Sequence, residues 1–172
     1  MDDKRFEHSV IYVCEHTKEG ALGVVINKPM EVAFADILTH LGYLGKHSQE
    51  FILTQPILWG GPCASNRGFV LHRPMGLWKN SFVISDELSL TTSRDILLSI
   101  GLGNGPMNAV IAFGCVRWQA GQLESELADN LWLTVPASDL ILFDCPFEDR
   151  WSRAATTIGI DFKLMAYDAG HA

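Results

Sequence analysis

Residues 108–113, NAVIAF, form an almost unbroken apolar run in a chain of 172 residues. A strand that is apolar at nearly every position needs cover on both faces, so this run predicts a central sheet strand. That need confines the chain to folds in which helices or a second sheet pack on a sheet. Residues 9–16 (SVIYVCEH) are β-branched and aromatic, TKEG follows as a turn, and residues 21–27 (ALGVVIN) close at Lys28 and Pro29. The pattern predicts an antiparallel hairpin.

Helix signals lie between the strands. Phe34, Ile37, Leu38 and Leu41 recur at three- and four-residue spacing and predict an amphipathic helix ending at Gly42, before a polar loop around residues 46–50. Residues 57–59 read as a short strand stopped by Gly60, Gly61 and Pro62. Residues 69–72 and 81–85 read as a strand pair. Thr92 and Asp95 resemble a capping box for a helix over residues 93–100, which ends in Gly101, Gly103 and Gly105. Residues 122–129 predict another helix, and residues 132–135 and 140–143 two more strands. Pro146 suits the first turn of a last helix, with Glu148 and Asp149 near its positive end and Trp151, Ala154, Ala155 and Ile158 along it. The sum is a single α+β domain over residues 1–172. It has a mostly antiparallel core of about eight or nine short strands and about three or four flanking helices. Helices and strands do not alternate strictly, which argues against a doubly wound sheet.

Charge narrows the partners. Thirteen Lys and Arg against 20 Asp and Glu give a net charge of −7, and the basic residues are scattered singly. Duplex binding needs clustered cations, so direct nucleic-acid binding is not expected. No apolar run is long enough for a membrane helix, and Met1 to Glu7 has no apolar core to serve as a secretory signal. A cytoplasmic protein is the expectation. Cys14, Cys63, Cys115 and Cys145 are far apart in sequence and form no C-x-x-C pair, so free thiols are expected.

Three motifs occur together in order: SVIYVCEH running into GALGVVINKP; GGP at residues 60–62 with RGFVLH at 67–72; and WQAGQLE at 118–124 followed by Trp132-Leu133. With them, and the closing AGHA at residues 169–172, the chain resembles the AlgH/YqgE family of bacterial proteins along nearly its whole length. The resemblance implies an α+β fold and a cytoplasmic protein without an assigned chemistry. Some members are labelled transcriptional regulators because of a genetic link to alginate production. Family members usually begin with a further strand before the segment that looks like Asp2 to Phe6. The resemblance therefore implies either that a strand is absent here, leaving its neighbour as an unpaired edge, or a short member of the family.

Cys14-Glu15-His16 is the sharpest candidate for chemistry. In a regular strand residues 14 and 16 share a face, and an imidazolium beside a thiol favours the reactive thiolate. A redox-sensing or nucleophilic Cys14 with His16 as partner is one reading; a core cysteine is the other. Cys145, before Pro146, is placed for a helix N-cap, but Asp144, Glu148 and Asp149 oppose a thiolate there. Gly60 and Gly61 with Arg67 can form a weak anion nest or simply a Gly-rich turn. Gln122, Glu124 and Glu126 form a polar helix face that can line a groove or merely meet solvent. Trp118 and Trp132 are expected to anchor the core. His8, His16 and His72 offer no local ligand pair with Cys14, so no metal is expected, and no cofactor motif appears. With no G-x-S-x-G elbow and no other catalytic pattern, a non-enzymatic regulator acting through a protein partner is the leading reading. A thiol-dependent sensor comes second and a direct DNA reader last. The sequence leaves the oligomeric state open.

Overall fold

The computed structural model describes residues 4–43 and 56–160. The polar loop expected around residues 46–50 and the terminal AGHA lie outside them. Eight strands form one curled sheet: β1 Ile11–Thr17, β2 Gly20–Val25, β3 Pro29–Ala33, β4 Pro56–Trp59, β5 Cys63–Arg73, β6 Ser81–Val83, β7 Ser89–Thr91 and β8 Asn108–Gln119. The order is β1-β2-β8-β5-β7-β6, with β4 beside both β3 and β8. Every pairing is antiparallel except β4 with β8. Four α-helices flank it among the described residues: α1 Phe34–His40, α2 Arg94–Gly101, α3 Gln122–Ala128 and α4 Arg150–Thr157. The single α+β domain expected from the sequence is the architecture found.

β8 is the central strand that the NAVIAF run predicts, and its alternation shows why the run is apolar throughout. Val110 and Ala112 pack with Val24, Leu58, Phe69 and Leu71 on one face. Ile111 packs with Phe34, Leu38, Ile57, Val70 and Ile96 on the other, beneath α1 and α2. Truncating a side chain such as Ile111 to Ala at such a site costs roughly 2–5 kcal/mol. Beyond the kink at Gly114 (φ +84°) the strand leaves β4 and pairs with β2 instead. A third cluster then forms from Ala21, Val25, Val116, Trp118 and Leu123, against α3.

Several local expectations change. Residues 132–135 and 140–143 are not strands. The first joins no strand ladder, and Pro136 just beyond it has no N–H to donate. The second is a π-helical turn, Leu140–Asp144, closed by Cys145 N–H on the Leu140 carbonyl. β5 and β6 are not neighbours, because β7 lies between them and pairs with both. The cap of α2 is Ser93 rather than Thr92, with its hydroxyl on the Asp95 carboxylate. α4 starts at Arg150 after Asp149, so Pro146 precedes the helix. Cys145 is therefore at the end of the π-helical turn and not at a helix N-cap.

Candidate functional site

The hairpin carries an irregularity that the sequence does not announce. Val13 pairs with Gly23 but Glu15 pairs with Leu22, so Cys14 is an extra residue in β1. Such a bulge resets the alternation of faces. Cys14 packs with Tyr12, Leu22 and Val24 on the first core face. His16 is in register with Ala21, whose face holds Val25 and Trp118. The two residues expected to share a face lie on opposite ones. The thiol environment follows from this. Burial pushes the Cys14 thiol up to about 12, and Cys115 and Glu15 add to the effect. His16 is engaged elsewhere: its Nε2 is 2.6 Å from Glu124 Oε1 on α3.

α3 brings the third motif to this end of the sheet. Glu126 gathers three donors: Trp118 Nε1 at 2.9 Å, Trp132 Nε1 at 2.7 Å and Gln122 Nε2 at 2.9 Å. Gln122 Oε1 accepts the Gln119 N–H at 2.9 Å and so fastens the helix to the end of β8. Burial pushes the Glu126 carboxyl up, but its three donors outweigh that and hold it below the usual glutamate value. Trp118 and Trp132 anchor the core as expected, with their rings edge to face at 6.3 Å. The role of Glu126 was legible in principle, because a buried indole N–H needs an acceptor. Gln122 thus serves the clamp, and Glu124 meets the His16 side chain on β1. The His16–Glu124 pair is open to solvent. The Cys14 thiol lies on the opposite face of β1, so the pair does not orient it as a nucleophile.

Gly60 and Gly61 are put to a use other than an anion nest. The Gly60 N–H donates to the Phe113 carbonyl at 2.7 Å, and its carbonyl accepts the Val25 N–H at 2.9 Å. A Cβ on Gly60 would lie 2.2 Å from the Gly114 oxygen, and one on Gly61 2.3 Å from the Cys115 carbonyl. The glycines let two backbones approach. Arg67 donates to Thr92 Oγ1 at 3.2 Å. His72 is fully buried on Thr91 Oγ1 (2.7 Å), and His8 packs against Trp151 with ring centres 4.2 Å apart and planes tilted by 56°. They do not converge with Cys14. No group of three or more potential ligands that could hold a metal occurs among the described residues.

Sequence spacing gave no hint of one relationship among the thiols. Cys63 on β5 and Cys115 on β8 are register partners, and Cys115 is close enough to Cys14 to act on its ionisation. No described helix is long and apolar enough to cross a membrane.

These features define a class: a single α+β domain with a curled eight-stranded sheet, a Trp–Glu clamp on one end and a His–carboxylate pair at its rim. The AlgH-like family model (DUF179) matches residues 1–163, and the chain belongs to that family. It is 44% identical over 172 residues to a UPF0301 protein of Thioalkalivibrio sulfidiphilus, covering all of this chain and 91% of that one. A UPF0301 protein of Nitrosococcus oceani is 41% identical with the same coverage. The solution structure of the AlgH protein from Pseudomonas aeruginosa is similar throughout: TM-score 0.80 at 40% identity, covering 100% of this chain and 90% of that one. A crystal structure of a Corynebacterium diphtheriae protein shares the fold at TM-score 0.65 and 19% identity, over 89% of this chain and 78% of its own.

Proposed function

We propose that the protein is a non-enzymatic binding protein that takes an extended apolar segment of a partner as an added strand on β1. The groove beside that strand carries this reading. Among the described strands β1 pairs only with β2. Ser9, Val10, Ile11, Tyr12 and Val13 all line one cavity of about 440 Å³. Successive residues of a strand point to opposite faces, so a wall built from consecutive residues follows the strand's edge. Trp132, Leu133 and Pro136 face it from beyond α3, and Trp151 and Ile158 from α4 and its end. Strand addition draws affinity from main-chain hydrogen bonds and specificity from pockets for alternate side chains. Regulation of transcription would then run through the partner in the cytoplasm, without contact to DNA, in keeping with the net charge of −7.

Selection from a random peptide library tests it. The expected result is enrichment of peptides with alternating apolar residues on the unmodified protein, lost on Val13→Lys, since charge blunts an edge. Equal retention by both proteins removes the reading. A dimer that Val13→Lys dissociates makes the occupant a second copy.

The register of Cys63 with Cys115 favours a second reading, a thiol redox sensor centred on that pair rather than on Cys14. A peroxide would take two electrons from the two thiols, join the sulfurs, and leave as water with their protons. Peroxide treatment of the folded protein should give a Cys63–Cys115 linked peptide. Without that peptide the sensor reading fails.

A further inference from the structure

Arg150 opens α4 and is only 7% exposed, yet among the described residues no carboxylate forms an ion pair or hydrogen bond with it. Its Nε donates to the Cys145 carbonyl at 3.1 Å, and its Nη1 to the Ile26 carbonyl. Nη2 makes no hydrogen bond to the described residues. Cys145 and Glu148 act on it through space only. A guanidinium carries five N–H donors and remains charged in proteins. Buried charges are ordinarily paired, because an uncompensated one is costly. Two carbonyl dipoles satisfy part of this group and neutralise none of it.

The same residue lines a second cavity, of about 400 Å³, separate from the β1 groove. It lies where β4 and the start of β8 meet the loop after α2 and the π-helical turn. Leu58, Ile100, Val110, Phe143 and Phe147 make its apolar walls, and no described carboxylate lines it. Asn108 adds a donor. Its Oδ1 accepts Arg73 Nε at 3.2 Å, which fixes the amide orientation and leaves its NH2 for another acceptor.

We propose that this cavity binds a small organic carboxylate, with the carboxylate on Arg150 and Asn108 and an apolar body against Phe143 and Phe147. The volume falls within the range of small-molecule sites, roughly 300–1,000 Å³. The planar fork of Arg matches a carboxylate. A single guanidinium beside the Phe143 and Phe147 rings suits a monoanion with an apolar body better than a phosphate, which carries more charge and more acceptors.

Titration with benzoate, followed by NMR of methyl groups and arginine Nε–H, tests this on the intact chain. Saturable shifts are expected at Ile100, Val110 and Arg150. Benzyl alcohol, the neutral counterpart, should bind at least about tenfold more weakly. Asn108→Asp keeps an acceptor for Arg73 but adds negative charge to the wall, and should weaken benzoate by a similar factor. Arg150→Gln should abolish binding; the Asn108→Asp comparison stands even where that variant fails to fold. Equal affinity for benzyl alcohol, benzoate shifts confined to other regions, or no shifts at all would overturn the proposal. So would displacement of benzoate by a lower concentration of inorganic phosphate.

Discussion

His16 Nε2 lies 2.6 Å from Glu124 Oε1, across 108 residues of sequence, and joins the end of β1 to the first turn of α3. Both side chains are about half exposed, at 44% and 50%. Solvent and salt screen such a pair. Hydrogen bonds from its own backbone amide and from His16 hold the Glu124 carboxyl below its ordinary value of 4.5. A depressed carboxylate stabilises above that value, and the effect is lost as pH falls through the lower folded-state value. Glu124→Gln should therefore leave the melting temperature almost unchanged at pH 7, as read by circular dichroism. A drop on the scale of a core truncation would mean that the pair holds the hairpin in place.

Cys14 should resist iodoacetamide in the folded protein at pH 8 and react once urea exposes it, as read by mass spectrometry. Its thiol is pushed up to about 12 by burial. The sign for stability follows: the neutral thiol is favoured in the fold, so its contribution is complete below pH 9 and is lost between about pH 9 and 12. Cys14→Ser should flatten that alkaline decline. Its cost at pH 7 should be about 1 kcal/mol, because a serine hydroxyl can donate to the Tyr12 carbonyl that the thiol already faces at 3.5 Å. Rapid alkylation of the folded protein would show an accessible thiolate instead.

Glu126→Ala should destabilise by about 2–4 kcal/mol in chemical denaturation, since it strands two indole N–H groups and the Gln122 amide at once. Glu126→Gln should cost less, keeping one acceptor oxygen. A neutral result for Glu126→Ala would mean that water replaces the carboxylate.

Gly61→Ala should cost about 3 kcal/mol or more, because its Cβ would meet the Cys115 backbone at 2.3 Å from a residue at φ +145°. Gly60→Ala should behave likewise against the Gly114 oxygen. Arg67→Ala should be mild, since its contact with Thr92 is exposed. Urea midpoints separate these cases, and a mild Gly61→Ala would mean that β8 can shift.

His72 should make the fold acid-sensitive. Burial pushes its pKa below 6.5, against the opposing hydrogen bond to Pro74. A base kept neutral in the fold but free to charge when unfolded lowers stability as pH falls below 6.5, by at most about 1.4 kcal/mol per pH unit. Denaturation midpoints at pH 7.5 and pH 5 measure the slope. An unchanged slope in His72→Asn would assign it to another group.

The elements with strong local patterns were readable one by one. The NAVIAF run implied a strand covered on both faces, and β8 is one. The 34–41 spacing implied α1. Residues 132–135 and 140–143 misled, because short apolar runs do not distinguish a strand from an unpaired segment or a helical turn. The short β7 was missed for the opposite reason: Ser89, Leu90 and Thr91 carry little pattern, and they become a strand only because β5 and β6 offer both edges. The Cys14–His16 pairing failed as a geometric expectation because it assumed an unbroken period of two.

By itself, then, the sequence determined the class of fold, the hairpin, the helical segments and the membership of a family, since these depend on periodicity and on motifs contiguous in the chain. Tertiary structure alone decided the bulge at Cys14, the meeting of His16 with Glu124, the acceptor shared by Trp118 and Trp132, and the burial of Arg150 beside a cavity. Each depends on which residue stands opposite another across the curled sheet. That is fixed by packing between distant segments, such as Arg150 and Ile26, 124 residues apart, and local propensity carries no record of it.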